Sequence, residues 1–259
     1  MTGRLAGEVA IVTGSTAGLG KTIATVFAGE GAEVVVTGRH RDRGEAVVAA
    51  ICRAGGRAAF VPSELTDEES CCALVEEAAR RYGSVSVLVN NAVDPEVIAR
   101  DAAVGDAVAE TWRAMFEVNL LGATILSREV IRHMRRSGHG AIVNISSRAA
   151  ARGTPALAAY AATKAGLESL ARSITADHAR EGIRCNTVQA GYILNEWRDA
   201  GAPPEALARR EAMQLTRLAT ADDVARAALF LASAEAEVIT GVTLPVDGGS
   251  SAVRGSTLG

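Results

Sequence analysis

The chain alternates between short, largely apolar runs and longer stretches in which apolar residues recur every three or four positions. The runs Val9–Thr13, Val34–Thr37, Ala58–Val61, Val85–Asn90, Ala141–Ser146, Arg184–Val188 and Val242–Val246 have the length and composition of strands covered on both faces. Between them, Leu19–Glu30, Glu45–Arg53, Asp67–Arg81, Ala158–Arg180 and Ala221–Ala232 read as amphipathic helices. Thr111–Arg136 reads as one long helix or two abutting ones. Strands alternating with helices predict a doubly wound α/β fold: a mostly parallel, seven-stranded sheet with helices on both faces. No linker or repeat divides the chain, so residues 1–259 are expected to form one domain. Two stretches break the rhythm, Val93–Asp106 and Tyr192–Thr216. Long segments beside strand ends carry substrate loops in such sheets, and residues 192–216 are the expected one.

Composition changes this picture little. With 48% hydrophobic and 22% charged residues, disorder is expected only at the tails Met1–Leu5 and Val253–Gly259. A net charge of −3 gives no reason to expect nucleic acid or a membrane surface as partner. No run approaches the ~20 apolar residues of a membrane span. The opening MTGRLAGEVA has no signal-like apolar stretch, which points to a cytoplasmic location. Cys52, Cys71, Cys72 and Cys185 form no C-x-x-C pair and have no histidine near enough in sequence to complete a metal set. They read as reduced, and no metal is expected. His133, His139 and His178 fall on expected helix surfaces or turns and read as solvated.

The chemistry concentrates in three places. After the first strand comes Thr13-Gly14-Ser15-Thr16-Ala17-Gly18-Leu19-Gly20, and then a helix. Glycines at such a turn let the backbone approach a pyrophosphate, and the helix N-terminus offers N–H groups and partial positive charge. An ordinary tight turn is the plainer alternative. Tyr160 and Lys164 are four residues apart on a helix and so share a face. An ammonium beside a phenol favours the phenolate and makes it a usable acid or base. Ser147 lies just past the end of the strand Ala141–Ser146, and that strand end faces the same crevice. Lastly, Arg39, Arg41 and Arg43 follow the second strand, as a solvated helix start or as a local phosphate site.

Read together, these pieces resemble the short-chain dehydrogenase/reductase family, over about Gly7 to Gly249. The matching segments stand in the family's order: T-G-x-x-x-G-x-G at Thr13–Gly20, N-N-A at Asn90–Ala92, V-N-L at Val118–Leu120, I-S-S at Ile145–Ser147, Y-x-x-x-K at Tyr160–Lys164 and V-D-G-G at Val246–Gly249. The resemblance implies a Rossmann-like oxidoreductase acting on a small carbonyl or alcohol. Its active residues would be Asn119, Ser147, Tyr160 and Lys164. Tyr160 would exchange the proton, Ser147 hold the oxygen, Lys164 hold the nicotinamide ribose, and Asn119 position a relay water. Cofactor contacts would come from Gly14, Ser15, Thr16, Gly18, Leu19 and Gly20 in the turn. Arg39, His40, Glu64, Leu65, Asn91, Ala92, Tyr160, Lys164, Gly191, Ile193 and Asn195 would complete them. The resemblance also implies a homodimer or homotetramer built on the two long helices, with small faces including Ala161, Ala165 and Ala171.

Charge argues for NADP(H) as the preferred cofactor, with NAD(H) second. In NAD-preferring relatives an acidic residue closes the second strand. Here Gly38 stands there and Arg39 follows, although Ala17 supplies no second cation. Several positions depart from the family pattern. Glu64 replaces an aspartate, Val93 stands where N-N-A-G has glycine, Ala190 replaces a proline, and Asn195 a threonine. Valine lacks glycine's freedom at positive φ. These changes support an alternative reading, a nucleotide-binding sensor or scaffold with little turnover.

Overall fold

The computed structural model describes residues 3–194, 199, 201 and 203–252. Seven strands, β1 (Val9–Val12), β2 (Glu33–Gly38), β3 (Arg57–Pro62), β4 (Val87–Asn90), β5 (Gly140–Ser147), β6 (Ile183–Ala190) and β7 (Thr243–Val246), form one sheet in the order β3-β2-β1-β4-β5-β6-β7. Every neighbouring pair is parallel. Strand side chains alternate between faces, so β1 sends Ala10 and Val12 into one core and Val9 and Ile11 into the other. The first core is closed by helices α1 (Gly18–Gly29) and α2 (Arg41–Arg53), the second by α3 (Glu68–Tyr82).

A run of helical segments follows β4. A four-residue α4 (Pro95–Ile98) starts under the side chain of Asp94, which accepts the N–H groups of Glu96 and Val97. Helix α5 (Ala109–Phe116) runs through a π turn at Glu117–Leu121 into α6 (Gly122–Ser137). One continuous helical path therefore carries a wide turn at Asn119. Gly122 makes this approach feasible: a Cβ there would meet the Leu65 carbonyl oxygen at 2.7 Å. Helix α7 (Ala158–His178) joins α6 and α3 on the second face. Beyond β6 lie α8 (Pro204–Ala212) and α9 (Ala221–Ala232), the latter closing the first core against α1.

Several expectations need correction. The expected substrate loop contains α8, because its proline pair starts a helix: Pro204 sits at the first helical position, where no N–H is needed. Helix α2 begins at Arg41 rather than Glu45. Gly44 does not break it but lets it press on Phe60, whose ring would meet a Cβ at 2.1 Å. Leu5 is no part of a disordered tail; it is buried and its N–H donates to the Glu30 carbonyl at 2.9 Å. His133 is buried, with Arg136 at 2.8 Å from Nδ1 and Glu76 at 3.6 Å from Nε2. Ala171 faces the core and offers no surface for a partner. Cys52, Cys71, Cys72 and Cys185 are free, and burial pushes the Cys71 thiol up to about 11.

Candidate active site

The strand order reverses at β1, which is flanked by β2 and β4, and this switch point opens a crevice at the carboxyl ends of the strands. The turn Thr13–Gly20 lines it. Gly14 and Gly18 have φ of +63° and +52°, left-handed values that glycine adopts without cost. A Cβ on Gly20 would meet the Gly14 carbonyl oxygen at 2.3 Å. Among the described residues no side chain caps α1, and its first turn has no acidic residue. Its first N–H groups and dipole end thus face outward without a protein anion. Around Gly18 a built Cβ would meet open space. The cradle fits the pyrophosphate of a dinucleotide.

The turn is tied to its neighbours by hydrogen bonds. Thr13 Oγ1 accepts the N–H groups of Asn91 and Ala92 at 2.9 and 3.0 Å, and Asn91 Nδ2 donates to the Thr13 carbonyl at 2.8 Å. Ser15 is fully buried; its hydroxyl donates to the Val12 carbonyl at 2.6 Å and accepts from Thr37 N at 2.9 Å. Its side chain thus serves the fold, which leaves its place among the cofactor contacts to the backbone. Gly38 packs on Thr16, whose methyl would meet a Cβ at 3.0 Å. Arg41 pairs with Glu45 at 3.0 Å and Arg43 is exposed, so both are solvated helix-start charges. Arg39 differs, its Nη2 lying 3.1 Å from Asp94 Oδ2, and His40 precedes α2 as an exposed residue.

Two of the altered positions settle without strain. Glu64 folds its longer side chain back, so that Oε1 accepts from Thr66 N at 3.4 Å, beside the partly buried Leu65. Among the described residues Ala156 is the sole non-glycine at positive φ, so Val93 occupies an ordinary conformation. Ala190 ends β6, and the N–H of Gly191 donates to the Val246 carbonyl at 2.9 Å. Gly191 lies so close to Asp247 that a Cβ would meet its Cα at 2.6 Å. Asp247 accepts from Gly249 N, Ser250 Oγ and Ser251 N at 2.8–3.0 Å. Burial raises its carboxyl pKa, but these bonds outweigh that and hold it below the ordinary value. Ile193 bridges to Ala219. Asn195 and Trp197 lie outside the described residues.

On the other side of the crevice, β5 ends at Ser147, and its Oγ accepts from Ala149 N at 3.2 Å. Lys164 Nζ donates to the Ile145 carbonyl at 2.8 Å and lies 5.6 Å from the centre of the Tyr160 ring. Burial lowers its pKa to about 8. Thr163 Oγ1 donates to the Tyr160 carbonyl at 2.8 Å and accepts from Asn119 Nδ2 at 3.1 Å. Asn119 Oδ1 is buried without a partner among the described residues. Such an acceptor is commonly met by an ordered water. The π turn thus brings Asn119 to the same helix face as Tyr160 and Lys164.

Three supports lay beyond the sequence reading. Glu168 Oε1 accepts from Ser146 Oγ at 2.8 Å and Gln189 Nε2 at 2.9 Å, bracing α7 against β5 and β6. Its spacing of four from Lys164 was a usable signal. Asp101 accepts the N–H groups of Ala159 and Tyr160 at 3.3 and 2.9 Å, capping α7 from an irregular stretch that gave no signal. Arg148, next to Ser147, donates to Ser250 Oγ at 3.1 Å.

A family model described as enoyl-(acyl carrier protein) reductase matches residues 14–251. The cis-4-hydroxycyclohexanecarboxylate dehydrogenase of Sinomonas cyclohexanicum is 39% identical over 95% of this chain and 97% of its own. The chain belongs to the short-chain dehydrogenase/reductase family. The chain is also similar to the NADP-dependent (R)-specific alcohol dehydrogenase of Lentilactobacillus kefiri, 38% identical over 97% of this chain and all of that one. Among solved structures, a 7α-hydroxysteroid dehydrogenase complexed with NADH and 7-oxo glycochenodeoxycholic acid superposes with a TM-score of 0.88, at 34% identity and 95% coverage of both chains. Family membership makes the chain an NAD(P)-dependent oxidoreductase of CH–OH and C=O groups.

Proposed function

We propose that this short-chain dehydrogenase/reductase is a cytoplasmic, NADP(H)-preferring enzyme that interconverts a ketone or aldehyde and its alcohol, with Tyr160 as proton donor and acceptor. The observation that carries the reading is the buried Lys164 Nζ 5.6 Å from the centre of the Tyr160 ring, with Asn119 tied to the same helix through Thr163. When bound, the nicotinamide supplies or takes the hydride. Everything else falls to the protein.

In reduction Tyr160 gives its proton to the carbonyl oxygen, and in oxidation it takes one from the alcohol. The positive charge of Lys164 favours the phenolate and so eases both transfers. Its Nζ has donors left beyond the bond to Ile145, suited to a ribose hydroxyl and a water. Ser147 already accepts from Ala149, which leaves its proton free to hold the substrate oxygen as negative charge develops there. Asn119 Oδ1 anchors the water that returns a proton toward Lys164. Gly14, Ser15, Thr16, Gly18, Leu19 and Gly20 hold the pyrophosphate through the backbone. Glu64, Leu65, Asn91 and Ala92 border the adenosine, while Gly191 and Ile193 border the nicotinamide.

The NADP(H) preference rests on Gly38, which brings no carboxylate, and on Arg39, whose guanidinium suits a phosphate. The NADP dependence of the 38% identical alcohol dehydrogenase supports it, and the NADH bound to the steroid dehydrogenase supports NAD(H) as second cofactor. The whole chain acts as one catalytic domain. Residues 192–216 serve as the substrate segment, and among its described residues Leu194, Met213 and Leu215 expose apolar side chains suited to a partly apolar carbonyl compound. Two or four copies associate through α5, α6 and α7.

Titration with NADPH and with NADH, followed by nicotinamide fluorescence, tests the reading. NADPH should bind at least roughly ten-fold more tightly, and Arg39→Ala should remove most of that margin. Binding of NADH alone would overturn the preference. Binding of neither would overturn the enzyme reading and favour a chain without turnover.

A further inference from the structure

Arg39 follows the end of β2, and Asp94 lies four residues past the end of β4. Strand β1 runs between them. The ion pair of Arg39 Nη2 with Asp94 Oδ2, at 3.1 Å, therefore joins the two loops that flank the glycine turn, across the crevice. The two partners are held unequally. Asp94 Oδ1 accepts from Glu96 N at 2.9 Å and Val97 N at 3.4 Å, so the carboxylate is fixed as the cap of α4 and its side chain is only 13% exposed. Arg39 is 52% exposed, and among the described residues this pair across the crevice is its one ion pair. The fixed carboxylate holds the movable arginine.

We propose that Asp94 is a cofactor-selectivity residue: it competes with the 2′-phosphate for Arg39, so that NADP(H) has to break or share the pair while NAD(H) does not. This rests on the reading that Arg39 receives the 2′-phosphate. Selectivity is a difference of two affinities, and a competitor internal to the protein narrows it without touching the unphosphorylated cofactor. Gly38 and Arg39 alone would give a strict NADP(H) site. Asp94 narrows that preference without abolishing it.

Asp94→Asn isolates the charge, because asparagine caps a helix as well as aspartate does. Asp94→Ser is a second capping variant, should the first melt early. Dissociation constants for NADPH and NADH are measured on the wild type, Asp94→Asn, Arg39→Ala and the double variant. An ion pair exposed on its arginine side alone predicts that Asp94→Asn tightens NADPH about three- to ten-fold and changes NADH by less than about two-fold. With Arg39→Ala present, the gain should fall below about two-fold. An unchanged NADPH-to-NADH ratio in both Asp94 variants, with Arg39→Ala still weakening NADPH, overturns the competition and leaves the NADP(H) reading standing. A gain that survives in the double variant also overturns it. If Arg39→Ala leaves NADPH binding unchanged, the underlying reading fails and the proposal with it.

Discussion

Tyr160 and Lys164 meet on α7 because four residues make just over one helical turn, and burial does the rest. Tyr160→Phe removes only a hydroxyl, so kcat should fall by roughly 10²–10⁴ while NADPH affinity stays within about two-fold. Steady-state kinetics and a cofactor titration on the same variant check both halves. Lys164 offers a pH signature. Its folded pKa, about 8, lies below the ordinary lysine value of 10.5. Between those values the unfolded chain binds more protons than the folded one, so this residue adds stability as pH rises through the window. Lys164→Met removes the linkage. The melting temperature of the wild type should therefore gain on the variant from pH 7 to pH 10; a difference independent of pH would contradict a buried, titrating lysine.

At the scale of elements, the glycine turn and α1 work as one device. Gly20→Ala places a methyl group against the Gly14 carbonyl and Asn91 Nδ2, at 2.3 and 2.6 Å. Overpacking of this kind should cost about 1–3 kcal/mol in urea unfolding and weaken both cofactors alike, since the proposed cradle holds the pyrophosphate they share. The strands and most helices were legible in the sequence because burial on two faces writes continuous apolar runs, and one-sided burial writes helical periodicity. What stayed hidden follows from the same physics. Helix α8 buries no residue and so has no apolar stripe to read. The cap of α7 by Asp101 joins residues 58 positions apart, and the pairing of Arg39 with Asp94 leaves no local mark either. His133 was misplaced because one histidine among arginines reads as surface. The spacing of Tyr160 and Lys164 carries little by itself and gains weight only beside Ser147 and the glycine turn, whereas Asn119 needs the family pattern, and the π turn that delivers it has no sequence signature.

For the whole molecule, α6 and α7 leave a groove between their outer faces, lined by Thr124, Arg128, Ile131, Leu170 and Ile174. Association of copies there predicts a solution mass of two or four times 26.7 kDa in light scattering. A mass of one chain at working concentration would refute it. No helix among the described residues is long and apolar enough to cross a membrane. The crevice carries the proposed pyrophosphate cradle on one side and Tyr160 with Lys164 on the other, and turnover requires their cooperation. It is tested most directly by following the loss of NADPH absorbance with a panel of cyclic and open-chain ketones, for the wild type and for Tyr160→Phe side by side. Turnover of at least one ketone by the wild type, lost in the variant while NADPH still binds, is the predicted result. Equal turnover by both proteins would contradict the account.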